Sequence, residues 1–198
     1  MQLPARYAVA VDHYKDGPMR KLSFGLVVAA ALLSSALAQA SQSAKHQAQE
    51  LRRSKLTLIE AIIAAEKQDG GRTTSAAFNF KRGNHEFYEV TVLSRDGKKL
   101  TKYELDPKSG SVRDTHNEVL EKLLTRISPD NLRSTATTLT HAVYVAQQQS
   151  GGHALNADVD RKGDHLEYTV ETVGLDGTSH KIKIDGSNGK VVSDDEEK

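Results

Sequence analysis

Two stretches, Tyr103-Glu104-Leu105-Asp106-Pro107-Lys108-Ser109-Gly110-Ser111-Val112 and Ile182-Lys183-Ile184-Asp185-Gly186-Ser187-Asn188-Gly189-Lys190-Val191, close two copies of one pattern. In each, a strand with alternating apolar residues runs into Asp-x-x-x-Gly-x-Val. The Asp side chain can bond the turn's own amides, and the Gly can take a left-handed conformation. Working back from these turns, the copies align over about eighty positions. Leu58, Ala61, Ile62, Ala65, Gly70 and Gly71 match Leu139, Ala142, Val143, Ala146, Gly151 and Gly152. Gly83, His85, Tyr88, Val90, Asp96 and Gly97 match Gly163, His165, Tyr168, Val170, Asp176 and Gly177. A repeat of this length means two copies of one small folding unit.

Within a unit the period changes from 3.6 to 2. Leu58, Ala61, Ile62 and Ala65 make one apolar helical stripe, Thr57-Leu58-Ile59-Glu60 has the pattern of a capping box, and Gly70-Gly71 stops the helix. His141 replaces the capping Glu in the second copy, so that helix start is expected to be weaker. Beyond the glycines, Ala76, Phe78 and Phe80, then Tyr88, Val90 and Val92, then Tyr103 and Leu105 alternate with polar residues. Leu155, Ala157, Val159, Tyr168, Val170, Ile182 and Ile184 repeat the alternation. Asp96-Gly97 and Asp176-Gly177 are read as tight hairpin turns. The expected fold is α+β: two tandem units, each one helix on a three- or four-stranded antiparallel sheet with one face free.

The expected division is an N-terminal extension over 1–18, an export signal over 19–40, a loose polar lead over 41–54, unit one over 55–114, a linker helix over 115–134, unit two over 135–194 and an acidic tail over 195–198. Met19-Arg20-Lys21 and the apolar run Leu22–Leu37 precede small-x-small options ending at Ala38 and Ala40, so the exported chain is expected to begin at Gln39 or Ser41. The run is shorter than the roughly 20 residues of a membrane span, and no span is expected in the mature protein. Thr115-His116-Asn117-Glu118 reads as a second capping box opening a helix with the stripe Leu120, Leu123, Leu124 and Ile127.

With 37% hydrophobic and 27% charged residues the chain has the composition of an ordinary globular protein, and with no cysteine each unit must rely on its own core. A unit of about 60 residues is marginal alone, so the two are expected to share an interface. Residues 41–133 carry 17 Lys and Arg against 13 Asp and Glu, a balance of +4; residues 134–198 carry 6 against 11, a balance of −5. Solvated faces that drifted apart explain this; opposite fields that help the halves dock, or a basic half that faces a partner, would also do so. No basic stretch interleaves with aromatics, so no nucleic-acid partner is expected.

Catalytic and metal readings find little support. His85-Glu86-Phe87-Tyr88-Glu89 resembles a zinc-peptidase motif, but Glu89 replaces the second His and strand period would divide the set between opposite faces. Asp158-Val159-Asp160 resembles the opening of a calcium loop, but Lys162 stands at a ligand position and Thr169 where the bidentate Glu belongs. His85 and His165 recur beside turns and are read as exposed strand residues rather than a paired metal site. No catalytic residue, cofactor or metal ligand is assigned; Asp96, Gly97, Asp106, Gly110, Asp176, Gly177, Asp185 and Gly189 are assigned to turns.

The order of a helix with paired Ala, a Tyr-x-Val strand, an Asp-Gly turn and the closing Asp106-Pro-Lys-Ser-Gly110-Ser-Val112 and Asp185-Gly-Ser-Asn-Gly189-Lys-Val191 elements resembles the PepSY domain. That domain is similar to part of the propeptides of thermolysin-like metallopeptidases. The resemblance implies an exported, periplasmic or secreted, non-catalytic module that binds or restrains a peptidase or another envelope protein. The alternative expectation is a periplasmic sensor of a small ligand or metal, using the cleft between units.

Overall fold

The computed structural model describes residues 45–81, 85–124 and 127–197. A first helix, α1, covers 45–53. It is followed by α2 (Leu58–Asp69), β1 (Arg72–Lys81), β2 (His85–Leu93), β3 (Leu100–Leu105) and β4 (Val112–Asn117). Two short helices, α3 (Leu120–Leu124) and α4 (Pro129–Ser134), lead to α5 (Leu139–Ser150), β5 (His153–Lys162), β6 (His165–Val173), β7 (Ser179–Asp185) and β8 (Val191–Glu197).

Helix α2 starts where its sequence says it should. The Thr57 hydroxyl accepts the Glu60 amide at 3.2 Å while the Glu60 carboxylate accepts the Thr57 amide at 2.7 Å, so two orphan donors are satisfied reciprocally. Helix α5 has only half of this arrangement, with Thr138 accepting the His141 amide at 3.1 Å. Both end at a left-handed glycine, Gly70 and Gly151.

The apolar stripes of α2 and α5 lie on the alternating faces of the strands. Leu58, Ala61, Ile62 and Ala65 meet Tyr88, Val90, Val92, Tyr103 and Leu105, all buried; Leu139, Ala142, Val143 and Ala146 do the same for Tyr168, Val170, Ile182 and Ile184. Burying a side chain such as Ile62 or Val90 contributes roughly 1.5–3 kcal/mol. The two units do not each keep a sheet of their own. Among the described residues there is one antiparallel sheet of eight strands in the order β4-β3-β2-β1-β5-β6-β7-β8. The joint is the pairing Ser75↔Asp158, Ala76↔Ala157 and Ala77↔Asn156. Because the order is palindromic and the central pair antiparallel, the repeats are related by a pseudo-twofold axis through Ala76 and Ala157, normal to the sheet. The interface expected of two marginal units is therefore a shared sheet and a shared core.

Three expectations are corrected. The polar stretch 41–54 is not simply a loose lead: residues 45–53 are helical and place Ala48 and Leu51, one turn apart, in the core. Two apolar residues suffice to dock a short helix, and average composition hides them. Thr115 does not cap a linker helix. It lies in β4 opposite Tyr103, with His116 opposite Lys102, and the linker is two short helices instead of one. All six residues of β4 are exposed, so an edge strand here leaves no alternation to read. The acidic C-terminal residues are solvated as expected, but they are not a tail: they belong to β8, where Asp194, Asp195 and Glu196 pair with Ile182, Lys181 and His180. His180 Nδ1 of β7 lies 2.8 Å from the Asp194 carboxylate.

No described helix is long and apolar enough to cross a membrane. The expected export signal, with Ala38 and Ala40, lies outside the described residues.

Candidate binding face

Each closing turn is a clasp. The Asp106 carboxylate accepts the amides of Lys108 and Ser109, both at 2.8 Å, and also pairs with the Arg113 guanidinium; the Gly110 amide bonds the Asp106 carbonyl. Partial burial opposes ionisation, but these donors prevail and bring the Asp106 carboxyl down to about 2. In the second copy Asp185 accepts the Ser187 amide at 2.7 Å and hydroxyl at 2.6 Å, and the same donors lower its pKa. Gly110 and Gly189 both sit at φ 71°.

The turn is tied to the residues before the helix. The Ser54 hydroxyl donates to Pro107 O at 3.0 Å, and the Thr135 hydroxyl donates to Gly186 O at 2.9 Å. A phenol completes the clasp: Tyr88 donates to Leu56 O at 2.6 Å and Tyr168 to Thr137 O at 2.5 Å. Burial pushes both phenols up to about 12. Sequence reading placed the two tyrosines in the core and missed this second role. Their recurrence at equivalent positions, each with one polar atom that must be satisfied when buried, was the available signal.

The hairpin turns are equally local. Asp96 accepts the Ser94 hydroxyl at 2.6 Å and the Lys98 amide at 3.1 Å; Asp176 accepts the Thr178 amide at 3.0 Å and hydroxyl at 2.9 Å. These bonds hold both carboxyls below their ordinary value. Gly97 and Gly177 have φ 71° and 88°. The eight turn residues therefore lie at the ends of strands, where they fix the register, and they are not brought together into one site.

What the strands leave open is the sheet face opposite α2 and α5. Register places Glu89 and Thr91 of β2, Lys102 and Glu104 of β3, Asp114 and His116 of β4, and Ser75 and Ala77 of β1 on it. Asn156, Asp158 and Asp160 of β5, Glu167, Thr169 and Glu171 of β6, and Lys181 and Lys183 of β7 extend it across the second repeat. At one end it is partly roofed by the α3 segment. There, beside the joint between repeats, lies a pocket of about 380 Å³ whose lining includes Ser75, Glu89, Thr91, Lys102, Glu118 and Asp158, with Leu100, Val119 and Leu123 along one wall. The Lys102 ammonium stands 3.0 Å from Glu118 and 3.4 Å from Glu89, and the bond to Glu118, with the charge of Glu89, raises its pKa.

His85 and His165 occupy equivalent register positions, opposite Lys81 and Lys162, on strands separated by β1 and β5. Three strand spacings of about 4.8 Å part β2 from β6, so the two imidazoles form no pair. The motif at His85–Glu89 lies in β2, and Asp158 and Asp160 lie within β5 rather than in a loop. Among the described residues, Glu104, Asp114 and His116 bring ligand atoms within 4.8 Å of one another on β3 and β4 and could hold a cation. His116 already meets Asp114 at 3.1 Å. Their sequence spacing gives no ligand signature; only the strand register assembles them.

The family model described as peptidase propeptide and YPEB domain, PepSY, matches residues 55–116 and 126–195, two thirds of the chain. Each matched segment contains the helix and first three strands of one unit and all but the last one or two residues of its fourth strand. A solved structure of a candidate lipoprotein from Clostridium difficile 630 is 16% identical; the alignment covers 73% of this chain and 95% of that one with a TM-score of 0.43. No curated protein matches the chain.

Proposed function

The chain belongs to the PepSY family, and from that premise we propose that it is an exported, non-catalytic binding module that slows a separate peptidase by covering it with the open sheet face. The observation that carries this reading is the joining of two family units into one face eight strands wide. Seven spacings of about 4.8 Å give a width of about 34 Å, and strands of six to ten residues at about 3.3 Å each run roughly 20–30 Å. A surface of that size is comparable to the roughly 800 Å² that each partner contributes to a stable protein complex. A single unit would offer about half of it. The apolar run Leu22–Leu37 followed by Ala38 and Ala40 supports export, the route to a compartment where envelope or secreted peptidases act.

Binding of this kind has no covalent step, so inhibition must be saturable and reversible, and must vanish when the fold is lost. The test is titration of the mature chain into a secreted thermolysin-like peptidase acting on a small chromogenic substrate. The expected result is a rate that falls to a plateau and recovers on dilution, with the chain recovered at full mass. Digestion of the chain at an undiminished rate of substrate hydrolysis would overturn the proposal.

A further inference from the structure

On the helical side of the sheet, where the end of α1 and the start of α2 meet the last turn of α5 and the start of β5, lies a pocket of about 230 Å³ built by both repeats. Leu51, Leu58 and the ring of Tyr88 give it an apolar floor, and all three are buried. Arg52, His153 and Gln147 belong to its polar lining. Neither basic side chain has a hydrogen bond or ion pair with a described residue, and no acidic residue lines the pocket. The Glu60 carboxylate at the adjoining helix start is already held by the Thr57 amide and hydroxyl, at 2.7 and 2.9 Å.

The pseudo-twofold axis gives this place an equivalent, and there the chain supplies both charges itself. Arg72 stands for His153, Glu66 for Gln147, Arg133 for Arg52 and Tyr168 for Tyr88. Arg72 Nη2 donates to the Arg133 carbonyl at 3.4 Å, and Arg72 and Glu66 act with opposite sign on the Tyr168 phenol. Arg133 pairs with Asp130, whose counterpart beside Arg52 is Gln49. The local frame is the same in both places: Glu66 Oε1 accepts the Thr73 amide at 2.8 Å, and Gln147 Oε1 accepts the Ala154 amide at 3.1 Å. One place thus holds guanidinium groups with carboxylates, while the other holds a guanidinium and an imidazole with amides. The shorter His153 leaves space, and the amides leave the basic groups without an acid.

We propose that this pocket binds a small aliphatic carboxylate, with its charged end at Arg52 and His153 and its hydrocarbon body on the apolar floor. The carboxylates of the equivalent place name the head group, since charge-assisted bonds to Arg are the strong ones, and Leu51, Leu58 and Tyr88 name the tail. Sites that bury a drug-sized ligand run to roughly 300–1,000 Å³, so a pocket of about 230 Å³ suits a smaller acid. The inference does not rest on the open sheet face, which is on the other side of the sheet.

Calorimetric titration of the full mature chain with isocaproate, together with melting curves in its presence, tests it. One saturable site is expected, with a melting temperature that rises with ligand concentration. Isocaproamide keeps the body and loses the charge, acetate keeps the charge and loses the body, and each binds about ten-fold or more weakly. Arg52→Gln weakens binding about two- to five-fold, the range for an ion pair open to water. Gln147→Glu combined with His153→Arg copies Glu66 and Arg72 into the pocket and abolishes binding, although it adds a positive side chain. Both new residues fit the frame of the equivalent place, and melting curves without ligand check that the fold persists. Lys183→Gln, on the open face, removes a positive charge and leaves binding unchanged. Equal binding of isocaproate and its amide, full binding by the doubly substituted chain, or no effect of Arg52→Gln overturns the inference. So does a peptide ending in leucine that binds where the free acid does not.

Discussion

At the scale of single residues, the fold depends on a small set of polar atoms repeated in both copies. Gly110 and Gly189 share φ 71°, a conformation in which a Cβ is costly. A Cβ built on Gly110 would also meet Leu56 Cδ1 at 3.2 Å, and one on Gly189 would meet His141 Nε2 at 3.2 Å. Gly110→Ala and Gly189→Ala are each expected to cost on the order of 1 kcal/mol or more. Urea denaturation of the two variants checks this, and an unchanged midpoint in both would contradict the clasp geometry. These glycines and their Asp partners were legible because a turn's chemistry is written in adjacent residues. The bond from Tyr88 to Leu56 O was not, since it joins residues 32 positions apart. The same holds for the Lys102, Glu89 and Glu118 cluster, which only pairing of β2, β3 and the segment after β4 assembles.

At the scale of elements, legibility follows contrast between faces. The helices α2 and α5 and the strands that pack beneath them show their period because one side of each is buried. The elements that were misread, α1, β4 and β8, have little such contrast, and backbone pairing or two apolar contacts fix them instead. The joint between β1 and β5 is hidden for another reason. It consists of only three paired positions, and its residues under the helices, Ala76 and Ala157, are small and wholly buried. Small side chains there let α2 and α5 close over the seam. Ala157→Leu inserts volume where none is available, and is expected to destabilise the chain by about 1–3 kcal/mol. Denaturant unfolding measures it, and a stability within about 0.5 kcal/mol of the parent would mean that the seam is looser than described.

At the scale of the whole molecule, duplication turned a marginal unit into a wide surface. The repeats differ in charge, +4 over residues 41–133 and −5 over residues 134–198, and adjoin across a seam where their strands pair. The account rests on one claim, that binding uses this face across both repeats. Carbodiimide labelling of carboxylates, read by mass spectrometry with and without a saturating inhibited peptidase, tests it most directly. The prediction is protection of Glu89, Asp158 and Glu171, from both repeats, while Glu60 and Glu66 on the helical layer label as before. Protection confined to the helical layer, or to one repeat alone, would contradict it.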